Sequence, residues 1–183
     1  MRKVYLDNAA TTAIHPEVIS VMMNVLQNDF GNPSSIHSFG RSAKTLLESS
    51  RKSIAKLLNA QASEIIFTSS ATEATNWILT SAVKDLGIKR IITTKIEHHA
   101  TLHTVEHLAK EFGIQVEYVT ILSNGNIDYQ DLAAKLHSDV PTLVSLIHVN
   151  NEIGTVLDIK RVSDLCKYAK ALFHCDTVQS IGK

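Results

Sequence analysis

Apolar residues recur at helical spacing through the first third of the chain. The pattern predicts a helix that starts at Pro16, a residue suited to a first helical turn, and ends near Asn28. Residues 29–37 are rich in turn formers, and a second, longer helix is predicted to run from about Ala43 to about Asn59. The apolar positions of the first helix are Val18, Val21, Met22, Val25 and Leu26.

Beyond residue 60 the pattern alternates between short apolar runs and helical periodicity. The apolar runs predict strands at 65–68, 90–94, 116–121, 142–149 and 172–176, after an extended opening at 4–6. Helices are predicted between these strands, at about 72–84, 100–112, 129–137 and 159–171. Strands that alternate with helices of this length are typical of an α/β protein with a mostly parallel sheet and flanking helices.

Composition and charge exclude several classes of protein. With 183 residues, 44% hydrophobic and 20% charged, the chain is long and apolar enough for one domain with a sizeable core, which excludes a disordered protein. Eighteen Lys and Arg balance eighteen Asp and Glu, so there is no general electrostatic footprint for nucleic acid or an anionic membrane. No apolar run approaches the ~18–20 residues of a membrane helix, and Asp7 interrupts any secretory signal. We therefore expect a cytoplasmic protein.

The two cysteines, Cys166 and Cys175, lie in apolar segments nine residues apart without CxxC spacing. This usage favours two small buried thiols in a reducing compartment over a disulfide framework.

The strand-to-helix junctions are where a site is expected, because ligands of open α/β sheets bind outside the carboxyl ends of the strands. The first junction, residues 67–74, places hydroxyls and small residues before a helix N-terminus, which is typical of a phosphate site. Ser69, Ala71 and Thr72 are the candidate contacts. The alternative is an ordinary helix cap supported by Glu73, and the glycines and Lys of nucleotide-binding loops are missing.

The second junction carries two adjacent imidazoles, His98 and His99, at a strand end. Such a His is either a hydrogen-bonded structural residue or a ring that lies flat over a planar cofactor. His99, His103 and His107 also repeat every four residues, a spacing that metal ligands use on helices. Without an HExxH pattern or a carboxylate partner, a solvated polar face is favoured, and we predict no metal site.

The third and fourth junctions add amide and carboxyl groups. Residues 148–155 place Asn150 and Asn151 after a predicted buried strand, where turn chemistry is the alternative explanation. Asp176 ends the last predicted strand, and an ionised carboxylate there needs a cationic or donating partner, such as a backbone cap or a Lys. Together the four junctions offer what a phosphorylated heteroaromatic cofactor such as pyridoxal 5'-phosphate (PLP) needs.

The sequence resembles the cysteine desulfurases of the class V aminotransferase family, which are fold type I PLP enzymes. The resemblance runs through all 183 residues in the family's order. It is carried by YLDNAATT at 5–12, GNPSS at 31–35 with His37 and Gly40, FTSSATE at 67–73, Glu97-His98, HVNNEIG at 148–154, and DTVQS at 176–180 with Gly182 and Lys183.

The resemblance implies a role for each matching residue. Ala71 and Thr72 would hold the cofactor phosphate, and His98 would stack on the pyridine ring as the one catalytic residue of this chain. The remaining cofactor contacts would be Asn151 on the substrate side, Asp176 at the ring nitrogen and Gln179 at the phenolic oxygen.

The resemblance also predicts what lies outside this stretch. The family's Schiff-base Lys, its persulfide-forming Cys and its substrate-binding Arg come after the segment that matches here, and Lys183 matches a flanking Lys instead. Two later strands of the family sheet lie between those at 65–68 and 172–176, so we expect an incomplete C-terminal side, a gap in the sheet and no activity from this stretch alone. The family usually has Gly where this chain has Ser70, which predicts a changed turn and phosphate affinity.

The resemblance therefore implies an N-terminal arm at 1–15 and, at 16–183, part of the large PLP-binding domain of a fold type I enzyme. The whole enzyme would convert L-cysteine to L-alanine, with the sulfur held as an enzyme persulfide for iron–sulfur clusters or tRNA thiolation. A homodimer and a sulfur-acceptor or iron–sulfur scaffold protein are the implied partners. The alternatives are another class V enzyme, such as a selenocysteine lyase, or a non-catalytic scaffold.

Overall fold

A computed structural model describes residues 3–182, so Lys183 lies outside the described residues. The contacts divide the chain into two compact units, which meet between Phe67 and Thr68 in sequence. We call residues 3–67 the N-terminal unit and residues 68–182 the C-terminal unit.

The N-terminal unit contains two helices, α1 (Pro16–Asn28) and α2 (Ser38–Leu57), and one 3₁₀ turn, Ala62–Glu64. Both helices confirm the periodicity of the sequence, although α2 begins five residues before the predicted start. The connection between them needs Gly40, because a Cβ there would lie 2.3 Å from the carbonyl oxygen of Ser35. Residues 4–6 run without regular secondary structure.

The strand predicted at residues 65–68 is wrong. No strand forms there; the segment follows the 3₁₀ turn, the Arg51 guanidinium donates to the Ile65 carbonyl, and the same guanidinium lies 4.8 Å from the Phe67 ring centroid. Ile66 and Phe67 are 61% and 44% exposed. An apolar run with strand propensity becomes a strand only where a neighbour pairs with its backbone, and nothing among residues 3–182 pairs with this one.

The C-terminal unit alternates helices with strands, as the pattern predicts. Its elements in chain order are α3 (Ala71–Lys84), β1 (Arg90–Thr93), α4 (His99–Phe112), β2 (Gln115–Tyr118), α5 (Tyr129–Leu136), β3 (Thr142–Ile147), α6 (Ile159–Tyr168) and β4 (Leu172–Asp176). Three elements end two or three residues before the prediction, and β3, which ends at Ile147 and not at residue 149, is one of them. The helix α6 ends three residues early, before Lys170 takes a left-handed φ of 55°, and β2 ends at Tyr118, before Ile121 forms an antiparallel bridge with Ile127.

All four strands form one parallel sheet in the order β2-β1-β3-β4. Alternate residues along the strands enter two cores, because successive side chains point to opposite faces. Ile92, Val144 and Leu146 pack with Leu132 of α5 and Val162 of α6. On the other face, Ile91 and Leu143 pack with Leu79 of α3 and with Val105 and Leu108 of α4. The α/β prediction, with a parallel sheet and flanking helices, is confirmed.

This arrangement places a site at one edge of the sheet. The strands are parallel, so their carboxyl ends and the loops that follow them lie at the same edge. Among residues 3–182, none of the helices has the length and apolar content needed to cross a membrane.

Candidate functional site

Three loops meet at the carboxyl edge of the sheet: the turn after β1, the loop after β3 and the turn after β4. The His148 backbone N–H donates to the Asp176 carbonyl at 2.8 Å, which joins the second loop to the third. The Asn150 amide nitrogen donates to the Ile96 carbonyl at 2.6 Å, which joins the second to the first. The loops that carry His98, Asn151 and Asp176 are therefore held together by hydrogen bonds.

The first turn of α3 has free donors for an anion. Ser70 is the N-cap: its hydroxyl oxygen accepts from the Glu73 N–H at 3.2 Å, and its backbone is extended, with φ −164°. Ala71 and Thr72 are the first two residues of the helix, where backbone N–H groups have no carbonyl acceptor within the helix. This is the position expected of phosphate-binding residues.

Ser69 does not share that role. Its backbone N–H and its hydroxyl both donate to Glu73 Oε2, at 2.7 and 2.6 Å. The hydroxyl and then the N–H of Ser69 lower the pKa of the Glu73 carboxyl, which is fully exposed. Helix capping therefore accounts for Ser69, Ser70 and Glu73. The N–H groups of Ala71 and Thr72 remain the candidates for binding a phosphate.

His98 is the N-cap of α4. Its Nδ1 accepts from the Ala100 N–H at 3.1 Å, so in the neutral ring Nε2 carries the proton and is directed away from the cap. His98 and Thr72 line one open cavity of about 400 Å³ between α3 and α4. The helices are joined there by the Thr104 hydroxyl, which donates to Asn76 Oδ1 at 2.8 Å. The structure thus brings the phosphate and ring-stacking candidates together, whereas the other cofactor candidates do not line this cavity.

The imidazoles that follow along α4 form a polar helix face. The His99 and His103 rings lie 5.4 Å apart, and His107 Nε2 lies 2.7 Å from Glu111 Oε2 with 70% of the His side chain exposed. Among the described residues no group of three or more His, Cys, Asp or Glu side chains is arranged to hold a metal ion.

Asp176 is the last residue of β4, opposite Ile147 of β3. It is half-buried, and its Oδ1 accepts from the Val178 N–H at 3.0 Å. That backbone cap is one of the two partners expected from the sequence, and it begins a turn that also contains Gln179. A carboxylate at this position faces the loops that carry the other candidates.

The two adjacent asparagines of the loop after β3 differ in burial and in their hydrogen bonds. Asn150 is buried, and its Oδ1 accepts from the N–H groups of Glu152 and Ile153 at 2.8 and 3.0 Å. Asn150 therefore holds the loop in shape, while the half-buried Asn151 lies beside it on the same turn. The sequence alone did not separate the structural amide from the candidate contact.

Sequence reasoning missed two titratable groups at this edge, the buried Glu97 and the half-buried His174. Glu97 is 6% exposed, and burial raises the pKa of its carboxyl to about 7. Hydrogen bonds from Thr94 and from the Ile147 backbone act to lower this pKa, and the charge of Asp176 acts to raise it. His174 Nδ1 lies 2.9 Å from the Ser145 hydroxyl, and burial lowers the pKa of its ring. The available signal was their placement: Glu97 follows a buried strand, and His174 shares the face of Asp176 on β4.

Both cysteines are free, as the sequence predicts. Burial raises the pKa of the Cys166 thiol to about 11. Burial, with smaller contributions from Glu97 and Asp176, raises the pKa of Cys175 to about 11 as well. Neither thiol is a ready nucleophile near neutral pH.

Comparisons with known proteins agree with this geometry. The family described as "Aminotransferase class-V" matches residues 4–183. The protein "Cysteine desulfurase IscS" of Dictyoglomus turgidum is 43% identical over 99% of this chain and 46% of its own length. A solved structure, "NIFS-LIKE PROTEIN", superposes with a TM-score of 0.92 at 39% identity, covering all of this chain and 50% of that one. Another, "SspA in complex with cysteine", has a TM-score of 0.87 at 34% identity and covers 96% of this chain and 51% of that one.

The chain spans about half the length of the curated relatives it matches. The family match extends over nearly every residue, through both units and through the loops at the carboxyl edge of the sheet. The chain belongs to the aminotransferase class-V family.

Proposed function

We propose that this chain supplies the N-terminal part of a PLP-dependent cysteine desulfurase. The complete enzyme converts L-cysteine to L-alanine and carries the sulfur as a persulfide on one of its own thiols. Residues 1–15 form an arm, and residues 16–183 form part of the large cofactor-binding domain. The observation that carries the proposal is the joining of the three loops at the carboxyl edge of the sheet, beside a cavity shared by Thr72 and His98.

The donor set fits PLP. A doubly charged phosphate matches the unpaired N–H groups and positive dipole end at the start of α3, and a pyridinium matches a half-buried carboxylate at the end of β4. Ser70 does not oppose this fit, because its extended backbone is available to any residue and no glycine is required there. When bound, PLP supplies an electron sink for bonds at the α-carbon of the amino acid.

Each candidate residue then has a defined task. Ala71 and Thr72 bind the phosphate through the first turn of α3. Asp176 would hold a proton at the ring nitrogen. His98 would stack on the ring, and its Nε2–H, left free by the cap at Nδ1, would donate a hydrogen bond on the substrate side.

Asn151 and Gln179 complete the set of contacts on the polar side of the cofactor. Asn151 would lie on the substrate side, and Gln179, in the turn after Asp176, would contact the phenolic oxygen. The buried Asn150 supports Asn151 by fixing the loop on which it lies.

The sulfur-accepting thiol is neither Cys166 nor Cys175. Both have pKa values raised to about 11, so at neutral pH fewer than about one in a thousand is a thiolate. The thiol belongs to the part of the protein outside this chain, and the complete protein carries the activity.

A relative of known structure has been solved with cysteine bound, and the curated relatives carry the name cysteine desulfurase. These names support L-cysteine as the substrate. A homodimer, a sulfur-acceptor or iron–sulfur scaffold partner and a cytoplasmic location belong to the same proposal, through the family resemblance.

Replacing Asp176 tests the proposal. In the complete protein, Asp176→Ala removes the partner of the ring nitrogen, so we expect alanine and sulfide production from L-cysteine to fall to background. Asp139→Ala, at an exposed carboxyl in the loop before β3, is the matched control and keeps full activity. Wild-type turnover by Asp176→Ala would remove the assignment, and turnover of selenocysteine without cysteine would reassign the protein as a selenocysteine lyase.

A further inference from the structure

Glu97 is a buried carboxyl to which the proposed reaction assigns no task. It lies in the turn between β1 and α4, with Oε1 accepting from the Thr94 hydroxyl at 2.7 Å. Its Oε2 is buried and has no hydrogen-bond partner among the described residues. An ionised carboxylate has acceptor sites on both oxygens, so burying one oxygen without a donor penalises the charged form far more than the neutral acid.

The surroundings of Glu97 leave no room for an organic ligand. It borders a cavity of only about 20 Å³, which also touches Thr94, Ile147, His148 and Tyr129. A space of this size holds about one water molecule. Glu97 therefore acts on its protein neighbours and does not bind a substrate.

Those neighbours are the candidate site residues. Glu97 immediately precedes His98, and the carbonyl of Ile96 on its other side accepts from Asn150 at 2.6 Å. Asp176 lies within electrostatic range of Glu97 and adds to the rise of its pKa. Glu97 thus lies behind the ring-stacking His and close to the carboxylate assigned to the ring nitrogen.

The titratable groups around Glu97 offer it no salt bridge. From β4 it meets the charges of Asp176 and, when ionised, Cys175. From the β3 loop and from α5 the cavity contributes His148 and Tyr129. Burial is the dominant cause of the rise of its pKa to about 7.

We propose that Glu97 is a positioning residue held as the neutral acid up to neutral pH, which fixes the turn carrying His98 and leaves the negative charge at this edge of the sheet to Asp176. Two neighbouring carboxylates, one buried and one half-buried, repel each other when both are charged. With Glu97 neutral, the Asp176 carboxyl has no buried charge beside it and can pair with a cation. The pairing with a cofactor rests on the proposed function, whereas the neutral state of Glu97 does not.

Infrared spectroscopy of the complete protein without cofactor tests the protonation state directly. We expect a protonated-carboxyl C=O band at pH 6 that disappears on titration with a midpoint near pH 7. Glu97→Gln should lack this band, and Glu106→Gln, at an exposed position on α4, should keep it. A spectrum without the band at pH 6, or one in which Glu97→Gln retains it, would overturn the proposal.

Thermal unfolding gives a second measurement on the same proteins. Glu97 has a raised pKa in the folded state, so the folded wild type holds its proton where the unfolded chain releases it. The wild type therefore loses stability as pH rises from about 4.5 to about 7. Glu97→Gln has no proton to lose, so the Tm difference between variant and wild type should move in favour of the variant between pH 5 and pH 8. A Tm difference that stays constant with pH, as a purely structural contact would give, would refute the proposal.

PLP titration separates this inference from the proposed function. If both hold, Glu97→Gln binds PLP within about twofold of wild type at pH 6, because it mimics the neutral acid that the wild type holds at that pH. A tenfold loss of PLP affinity in Glu97→Gln would refute the neutral-acid role. Failure of the wild type to bind PLP, with the infrared and Tm results as expected, would instead count against the proposed function alone.

Discussion

The two units contain helices with similar apolar periodicity, yet they differ in what those helices bury. None of the residues of α1 is buried, and α2 buries only Gly40 and Ala55. In contrast, α3 and α4 each bury four residues. Periodicity therefore predicts that a helix forms, but the presence of a partner surface decides whether its apolar face stabilises the structure.

The helix caps differ in the same direction. In the N-terminal unit, the imidazoles of His15 and His37 accept the capping N–H groups at 3.4 Å. In the C-terminal unit, the cap hydrogen bonds are 2.8–3.2 Å long, those of Ser70, Asp128 and Asp158 as well as that of the His98 imidazole. Shorter bonds from preferred N-cap residues hold the helix ends more firmly, so local stability as well as burial is concentrated in the C-terminal unit.

Truncating one leucine in each unit tests the contrast most strongly. Leu79 is fully buried in α3, and Leu26 is 70% exposed in α1. In the 183-residue chain, Leu79→Ala should lower the free energy of unfolding by about 2–5 kcal/mol, and Leu26→Ala by less than about 0.5 kcal/mol. Denaturant titration measures both. Equal losses would show that the exposed face of α1 is packed in solution and that the contrast between the units is wrong.

Thiol reactivity probes the same difference without changing the core. The pKa values of Cys166 and Cys175, raised to about 11, leave little thiolate at pH 8, so labelling should be about 100-fold slower than at an ordinary exposed Cys. Ser49→Cys places that reference thiol at an exposed position of α2. Peptide mapping after timed labelling gives each rate, and the rates of the native thiols should rise about tenfold per pH unit towards pH 11. Rapid labelling of Cys175 at pH 8 would contradict its burial.

The two units also differ in how much of their structure the sequence predicts. The order of β1 to β4 and of their helices followed from alternation, because each strand finds a parallel neighbour and each helix covers it. The run at 65–68 looks the same in sequence, but no strand among the described residues pairs with it. Whether such a run becomes a strand depends on long-range contacts, which periodicity does not predict. At the site, Thr72, His98 and Asp176 lie at the junctions that the sequence indicated. The hydrogen bonds of the buried Asn150 and the burial of Glu97 depend on local contacts, which the sequence pattern does not predict.

Phosphate binding is assigned to the C-terminal unit alone, and Thr72→Ala tests that assignment. The variant removes a hydroxyl at the start of α3, so PLP affinity in the complete protein should fall by about 1–3 kcal/mol, or about 5- to 150-fold. Thr45→Ala, at an exposed position of α2, should leave PLP affinity unchanged. Equilibrium titration with PLP measures both affinities. An unaltered Kd for Thr72→Ala would show that the Thr72 hydroxyl does not bind the phosphate.

Ser70 sets the smallest expected effect, because the structure separates its capping role from the conformation of the turn. Its φ of −164° lies in extended backbone that any residue adopts, so the family's usual Gly gains no steric advantage here. Ser70→Gly should cost a few tenths of a kcal/mol and Ser70→Ala about 1 kcal/mol of unfolding free energy, because Gly is tolerated at an N-cap and Ala is not. The expectation from sequence was that Ser in place of Gly changes phosphate affinity; the structure instead predicts that Ser70→Gly leaves the Kd for PLP within about twofold of wild type. A larger gain in affinity would show that the Ser70 side chain obstructs the phosphate, and that the first turn of α3 is less open than its capping geometry indicates.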